Sequence, residues 1–143
     1  MPRSKPVRYE LTALPALALP VGFYSIGAFL GGKARFVDTL ATAALSLPSP
    51  SGVAWALTWG ELLVLVGLVA LFADLLKSTS TGRAAVVNHV LSVGLLIICL
   101  MLFLLAGAFV TSTFFLLMVM IALDAIAGFT ITTISARRDV AFE

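Results

Sequence analysis

Residues 52–77 read GVAWALTWGELLVLVGLVALFADLLK, and this segment decides the class to which the protein belongs. From residue 53 to residue 76 it is predominantly apolar, and about 20 such residues are enough to cross a bilayer as a helix. Trp55 and Trp59 mark one end, where aromatic rings favour the membrane interface, and Lys77 closes the other. The segment therefore predicts a membrane-spanning helix over residues 53–76.

The composition of the whole chain supports the same class. Of 143 residues, 61% are hydrophobic and 11% are charged, and the mean hydropathy is +1.13. A soluble domain is nearer half apolar and about a quarter charged, so the polar surface needed in water is missing. We expect one transmembrane domain over residues 1–143, surrounded by the lipid bilayer. The basic residues form no patch that would favour a nucleic-acid partner.

Three further apolar runs predict three more spans, over about residues 11–31, 84–109 and 114–134. Short connections join neighbouring antiparallel helices, so the predicted fold is an all-α, antiparallel four-helix bundle in the membrane. Pro20 is expected to kink the first span, because it removes an internal hydrogen bond. Residues 34–47 are amphipathic and predict either a short interfacial helix or a loop packed on the bundle.

The lysines and arginines predict the orientation of these spans. If the N-terminus is cytoplasmic, seven of them face inward and two face outward, which is a strong positive-inside bias. Both termini are then cytoplasmic, Arg137 and Arg138 anchor the last span at the inner interface, and the tryptophans anchor the second span at the outer one. This bias fits a bacterial inner membrane.

Small residues predict how the helices pack, because close contact in lipid depends on small and polar side chains. On the second span, Asp74 continues a heptad series of glycines. We expect this series to face the small residues of the third span, because a short turn joins the two helices. The predicted packing residues of the second, third and fourth spans are Gly60, Gly67, Ala85, Ser92, Cys99, Ala106, Ala125 and Gly128.

Two ionisable residues flank the turn between the second and third spans. Asp74 and His89 each lie a few residues inside their helix, and Asn88 is next to the histidine. We expect Asp74 and His89 to pair across the turn. Such a pair is either a proton-entry site, in which the carboxylate raises the basicity of the imidazole, or a structural polar clasp. Their shallow depth favours the clasp.

Glu61 and Asp124 are the deeper carboxyl groups of the predicted bundle. Counted along their helices, they lie within about one turn of the same depth, so the sequence allows a direct pair. No lysine or arginine inside a span balances them, which favours their neutral forms. The functional interpretation is proton or cation coupling. The structural interpretation is hydrogen bonding, for Asp124 to the region of Ser92 or Thr130.

Other chemistries find little support in the sequence. A single histidine provides neither a bis-histidine haem site nor a histidine-rich metal cluster. The chain also contains no nucleophile elbow, phosphate-binding loop or dinucleotide motif. We therefore expect no catalytic residues, no metal site and no cofactor.

Two functions remain open. The first is an accessory or scaffold subunit that packs against other membrane proteins or against copies of itself. The alternative is a small oligomeric transporter or channel, coupled to protons or cations, in which Glu61 and Asp124 line the path.

Overall fold

The computed structural model describes residues 14–78 and 83–140, and within them the side chains of residues 14–78 and 86–130. The start of the predicted first span and the side chains of Ala85, Arg137 and Arg138 lie outside these residues. The elements in chain order are α1 (Ala18–Gly31), α2 (Lys33–Ala41), β1 (Ala43–Pro48), β2 (Ala54–Thr58), α3 (Trp59–Ser78), α4 (Arg83–Leu105), a 3₁₀ turn (Gly107–Phe109) and α5 (Ser112–Val140). The protein is mostly helical, which is consistent with the predicted all-α class, and it also contains two short strands that were not predicted.

Three helices are long and apolar enough to cross a membrane. They are Trp59–Ser78, Val86–Leu105 and the Ser112–Thr130 part of α5. At about 1.5 Å per residue each is close to the thickness of the hydrocarbon core. These helices indicate an integral membrane protein. The helix α5 continues past its predicted end at residue 134, and the sequence from 131 to 140 contains neither glycine nor proline to stop it.

The helix α1 is shorter than the predicted first span. It contains 14 residues, which corresponds to about 21 Å. The predicted kink at Pro20 is wrong, because this proline lies in the first turn of α1, where its missing N–H has no helical partner to lose. At the other end, Gly32 adopts a φ of 71°, a conformation that favours glycine and that separates α1 from α2.

A β-hairpin occupies the end of the possible interfacial helix, predicted over residues 34–47, and the first residues of the second span, predicted from residue 53. The amphipathic helix exists only over Lys33–Ala41, and the strands β1 and β2 pair antiparallel after it. Leu45 lies opposite Leu57, and Leu47 lies opposite Trp55. Apolar residues therefore alternate with small ones on both strands, which is the period of a sheet rather than of a helix.

The turn of the hairpin explains why a helix fails here. Pro48 and Pro50 cannot continue a helical hydrogen-bond pattern, and Gly52 adopts a φ of 79°. The predicted start of the second span at residue 53 is therefore wrong. Residues 54–58 belong to β2, and α3 begins at Trp59.

The last helix, α5, packs against both α3 and α4, whereas α3 and α4 contact each other little. Gly67 of α3 permits this close approach, because a methyl group on it would lie 2.6 Å from Leu117 Cδ2 and 3.1 Å from Met120 Sδ. A methyl group on Gly60 would likewise lie 2.6 Å from Thr113 Oγ1. The predicted contact between the small residues of the second and third spans is therefore wrong, because α5 occupies that position.

An aromatic cluster closes the end of the molecule at which α1 terminates and α5 begins. The ring of Tyr24 packs against Phe36, Phe109 and Phe114, with centroid distances of 4.9, 5.5 and 4.9 Å. Its hydroxyl donates to the carbonyl oxygen of Ala108 at 2.9 Å and lies 2.7 Å from a threonine hydroxyl at the start of α5. The buried tyrosine thus ties α1 to the connection between α4 and α5.

We predict that Gly67→Leu separates α3 from α5. Overpacking of this kind destabilises a protein by about 1–3 kcal/mol. The measurement is reversible unfolding in mixed micelles of a mild detergent and sodium dodecyl sulfate. Gly22→Leu is the matched control, because a methyl group on Gly22 meets no atom within 4 Å. Equal unfolding free energies for the two variants would contradict the proposed close contact.

Candidate functional site

Five polar side chains form a buried polar cluster between the long helices, consisting of Asp74, Asn88, His89, Ser92 and Asp124. Asp74 and Ser92 are fully buried, Asp124 and Asn88 are 2% and 3% exposed, and His89 is half-buried. They lie near the end at which α3 terminates and α4 begins. Charged or polar groups buried at membrane depth are the default candidates for function, so each requires an account of its partners.

Asp74 caps the beginning of α1. Its two carboxylate oxygens accept the N–H groups of Ala16 at 2.8 Å and Leu17 at 3.1 Å. Backbone N–H groups at a helix start have no helical acceptor, and α1 has no side-chain cap of its own. A carboxylate from a neighbouring helix therefore supplies what the local sequence lacks, and the positive end of the helix dipole favours its charge.

Lys77 completes this arrangement. Its Nζ lies 3.0 Å from Asp74 Oδ1 and donates to the carbonyl oxygen of Leu14 at 3.1 Å. The predicted pair between Asp74 and His89 is therefore wrong, because Asp74 is directed towards α1 and not towards α4. The clasp predicted across the turn between α3 and α4 is not formed by this pair either, since the carboxylate joins α3 to α1 instead.

Asp124 has the structural partner that the sequence suggested. Ser92 Oγ of α4 donates to Asp124 Oδ2 of α5 at 2.6 Å, and both residues are buried. Such a hydrogen bond between two buried side chains holds the two helices in register. Of the other predicted packing residues, Cys99 and Ala125 are buried in the core. Ala106 is half-buried.

The predicted pair between Glu61 and Asp124 is wrong. Because α3 begins at Trp59, Glu61 lies in the first turn of the helix and is exposed. Asp124 is 12 residues from the start of α5, which begins at the same end of the molecule. At about 1.5 Å per residue, the two carboxyl groups differ in depth by about 15 Å.

Glu61 instead forms a capping box with Thr58. Its Oε2 accepts the N–H and the hydroxyl of Thr58 at 2.8 and 3.0 Å, and its own N–H donates to Thr58 Oγ1 at 3.2 Å. This reciprocal arrangement satisfies two N–H groups at the start of α3. The sequence TWGE at residues 58–61 has the required spacing, so this motif was the signal that predicts where the helix begins.

Three atoms of the buried polar cluster have no hydrogen-bond partner among the described residues. They are Asn88 Oδ1, His89 Nδ1 and Asp124 Oδ1. The imidazole packs against Gly128 of α5, where a methyl group would lie 2.5 Å from Nδ1. Buried polar atoms are usually satisfied, so these three need a water molecule, a proton or another ligand. The described residues contain no group of three or more His, Cys, Asp and Glu side chains suited to a metal ion.

The interior is apolar between this cluster and the aromatic end. Cys99, Leu117 and Ile121 are fully buried there. Polar groups that move protons or ions must be connected by hydrogen bonds or by water. Within the described part of one chain, the buried polar cluster is therefore separated from the far end by packed hydrocarbon.

A second candidate site lies at the opposite end, and we call it the terminal groove. It has a volume of about 580 Å³ and lies between α2, β2 and the first turns of α3 and α5. Most of its wall is apolar, but a carboxylate and several hydroxyls reach it. The lining residues are Val37, Leu40, Ala41, Trp55, Leu57, Thr58, Gly60, Glu61, Val64, Leu65, Thr111, Ser112, Thr113 and Leu116.

The predicted interfacial anchors partly coincide with this groove. Trp55 lies in β2, Trp59 is the first residue of α3, and both are about half exposed. The predicted anchors at the other end are Arg137 and Arg138. Both lie within α5, but their side chains are outside the part of the chain that the structure describes.

Comparisons with protein-family models, with curated proteins and with solved structures find no match to this chain.

We predict that Asp74→Ala lowers the free energy of unfolding by about 3 kcal/mol, because it leaves two N–H groups at the start of α1 without this acceptor and removes the carboxylate that pairs with Lys77. Asp74→Asn should have a smaller effect, because the amide oxygen still accepts one N–H. Unfolding in mixed micelles measures both. Asp38→Ala is the control, since Asp38 is exposed on α2. An Asp74→Ala variant as stable as this control would rule out the cap.

Proposed function

We propose that this protein is a small membrane scaffold, an accessory subunit that packs against a larger membrane complex or against copies of itself. The observation that carries the proposal is the structural use of its carboxyl groups. Asp74 caps α1, Asp124 holds α4 to α5, and Glu61 caps α3. Groups that already stabilise helix ends and helix contacts are poorly suited to line a transport path.

The proposed architecture is an antiparallel four-helix membrane bundle in which α1 is the short fourth helix. The cap by Asp74 supports this, because it joins the beginning of α1 to the last turns of α3. The charge bias of the sequence supports cytoplasmic termini and a bacterial inner membrane. The aromatic cluster and the terminal groove then lie towards the outer face.

The helix α4 is the best candidate for contact with another subunit. It is the least buried of the three long helices, because it packs mainly against α5. Gly94 on α4 has no atom within 4 Å of the position where a methyl group would be. A glycine open to the outside of a membrane helix allows another helix to approach closely.

We predict that gentle extraction from the native membrane yields a particle with more than one chain. The measurement is the mass of the extracted particle together with identification of its companions. We expect a stoichiometric complex or a homo-oligomer. Gly94→Trp should dissociate it, whereas Gly22→Trp on α1, also at an open position, should leave it intact. A monomer of 15.0 kDa without companions would refute the scaffold proposal.

A second candidate, a small proton- or cation-coupled transporter or channel, is favoured by one observation. Asn88, His89 and Asp124 each have a buried polar atom without a hydrogen-bond partner in the part of the chain that the structure describes, and such atoms together can bind a proton or a small cation. Because apolar packing separates them from the far end, a path would have to run between subunits of an oligomer. Glu61 has no part in this version, since it lies at the other end of α3.

Proton flux separates the two functions. If the scaffold proposal is correct, proteoliposomes under a pH gradient take up protons no faster than empty liposomes, and Asp124→Asn changes nothing. If flux is present, Asp124→Asn should abolish it, because an amide cannot take up and release a proton, while its oxygen still accepts the hydrogen bond from Ser92. Glu61→Gln is the matched control and should leave such a flux unchanged. Flux with this pattern would replace the scaffold proposal.

A further inference from the structure

We propose that the terminal groove binds an amphiphile with a cationic head group, whose apolar tail lies along the groove and whose ammonium lies between Glu61 and Trp55. This goes beyond the scaffold function and does not depend on it. The groove, at about 580 Å³, is within the range of about 300–1,000 Å³ that holds small-molecule ligands.

The walls of the groove suit an alkyl chain. The hairpin presents one apolar face, because Leu57 and Trp55 lie opposite leucines of β1 and point to the same side of the sheet. The other wall is formed by Leu65 of α3 and Leu116 of α5. An alkyl chain bound between the two walls buries its own apolar surface and the apolar surface of both walls, which is favourable.

The polar end of the groove suits a cation. Among the described lining residues, Glu61 alone carries a charge. Its Oε2 accepts from Thr58, while no hydrogen bond to its Oε1 occurs among the described residues. The indole of Trp55 is 52% exposed. A carboxylate and an aromatic face together attract a quaternary or primary ammonium.

Two features near the groove oppose this selectivity. Lys33 lies one turn before Val37, with its Nζ near the position of a methyl group on Gly107, and the starts of α3 and α5 carry positive helix dipoles. Lys33 does not line the groove, however, and the helix starts are capped. Thr111 Oγ1 accepts the N–H of Phe114 at 3.2 Å, and Glu61 caps α3. The carboxylate is therefore the dominant charge inside the groove.

Fluorescence quenching of Trp55 tests the proposal directly. In the full-length Trp59→Phe protein, Trp55 is the remaining tryptophan. The probes are nitroxide-labelled dodecyl amphiphiles with a trimethylammonium, a sulfate or a neutral sugar head group, titrated in a neutral maltoside detergent. We expect the ammonium probe to bind about tenfold more tightly than the other two.

Three variants identify the groups responsible. Glu61→Gln should reduce binding of the ammonium probe to that of the neutral one, while glutamine retains the capping box and hence the helix start. Leu65→Arg places a guanidinium one turn after Glu61 and should have the same effect, because it pairs with the carboxylate. Asp38→Asn is the matched control, because it removes an exposed carboxylate that does not line the groove.

The proposal is overturned by any of three results. Equal binding of the three probes would mean that the groove accepts an alkyl chain without regard to charge. Preference for the sulfate probe would mean that Lys33 and the helix dipoles dominate. Equal weakening by Glu61→Gln and Asp38→Asn would mean that only the overall surface charge matters.

Discussion

The capping of α1 by Asp74 is the interaction on which the arrangement of the first helix depends. A helix of 14 residues cannot cross a membrane unaided, and its first N–H groups have no acceptor within the helix or from a side chain of its own. A carboxylate from α3, itself balanced by Lys77, satisfies these groups and supplies a charge of the favourable sign. The short helix is thereby fixed to the end of a long one.

The position of α5 explains why the other polar groups have the partners they have. Gly60 and Gly67 let α5 lie close to α3, and Gly128 of α5 lets it lie close to α4. Once α5 lies between them, Ser92 of α4 faces Asp124 rather than any residue of α3. Asp74 instead accepts the N–H groups at the start of α1. Each of the two buried carboxyl groups therefore connects a different pair of helices.

The sequence predicts the existence of the long helices well, because length and hydropathy alone define them. It predicts their partners poorly, because a heptad series of small residues shows which face of a helix allows close contact but not which other helix packs there. The sequence predicts the start of α3 too early, because the segment AWALT at residues 54–58 is apolar enough to extend a helix. Its apolar residues nevertheless alternate as those of a strand do. The capping box at Thr58 and Glu61 contained the missing information, and that error of about one and a half turns displaced Glu61 in depth.

The two ends of the molecule differ in a way that bears on function. At one end, buried carboxyl groups are bonded to backbone N–H groups, a lysine or a serine, so they connect parts of the chain to one another. At the other end, Glu61 caps its helix with one oxygen and remains exposed beside an apolar groove and an indole ring. Because only one of its oxygens is used in the cap, the exposed carboxylate can also bind a ligand without loss of the fold. Recognition is therefore better placed at the groove, and stability at the buried cluster.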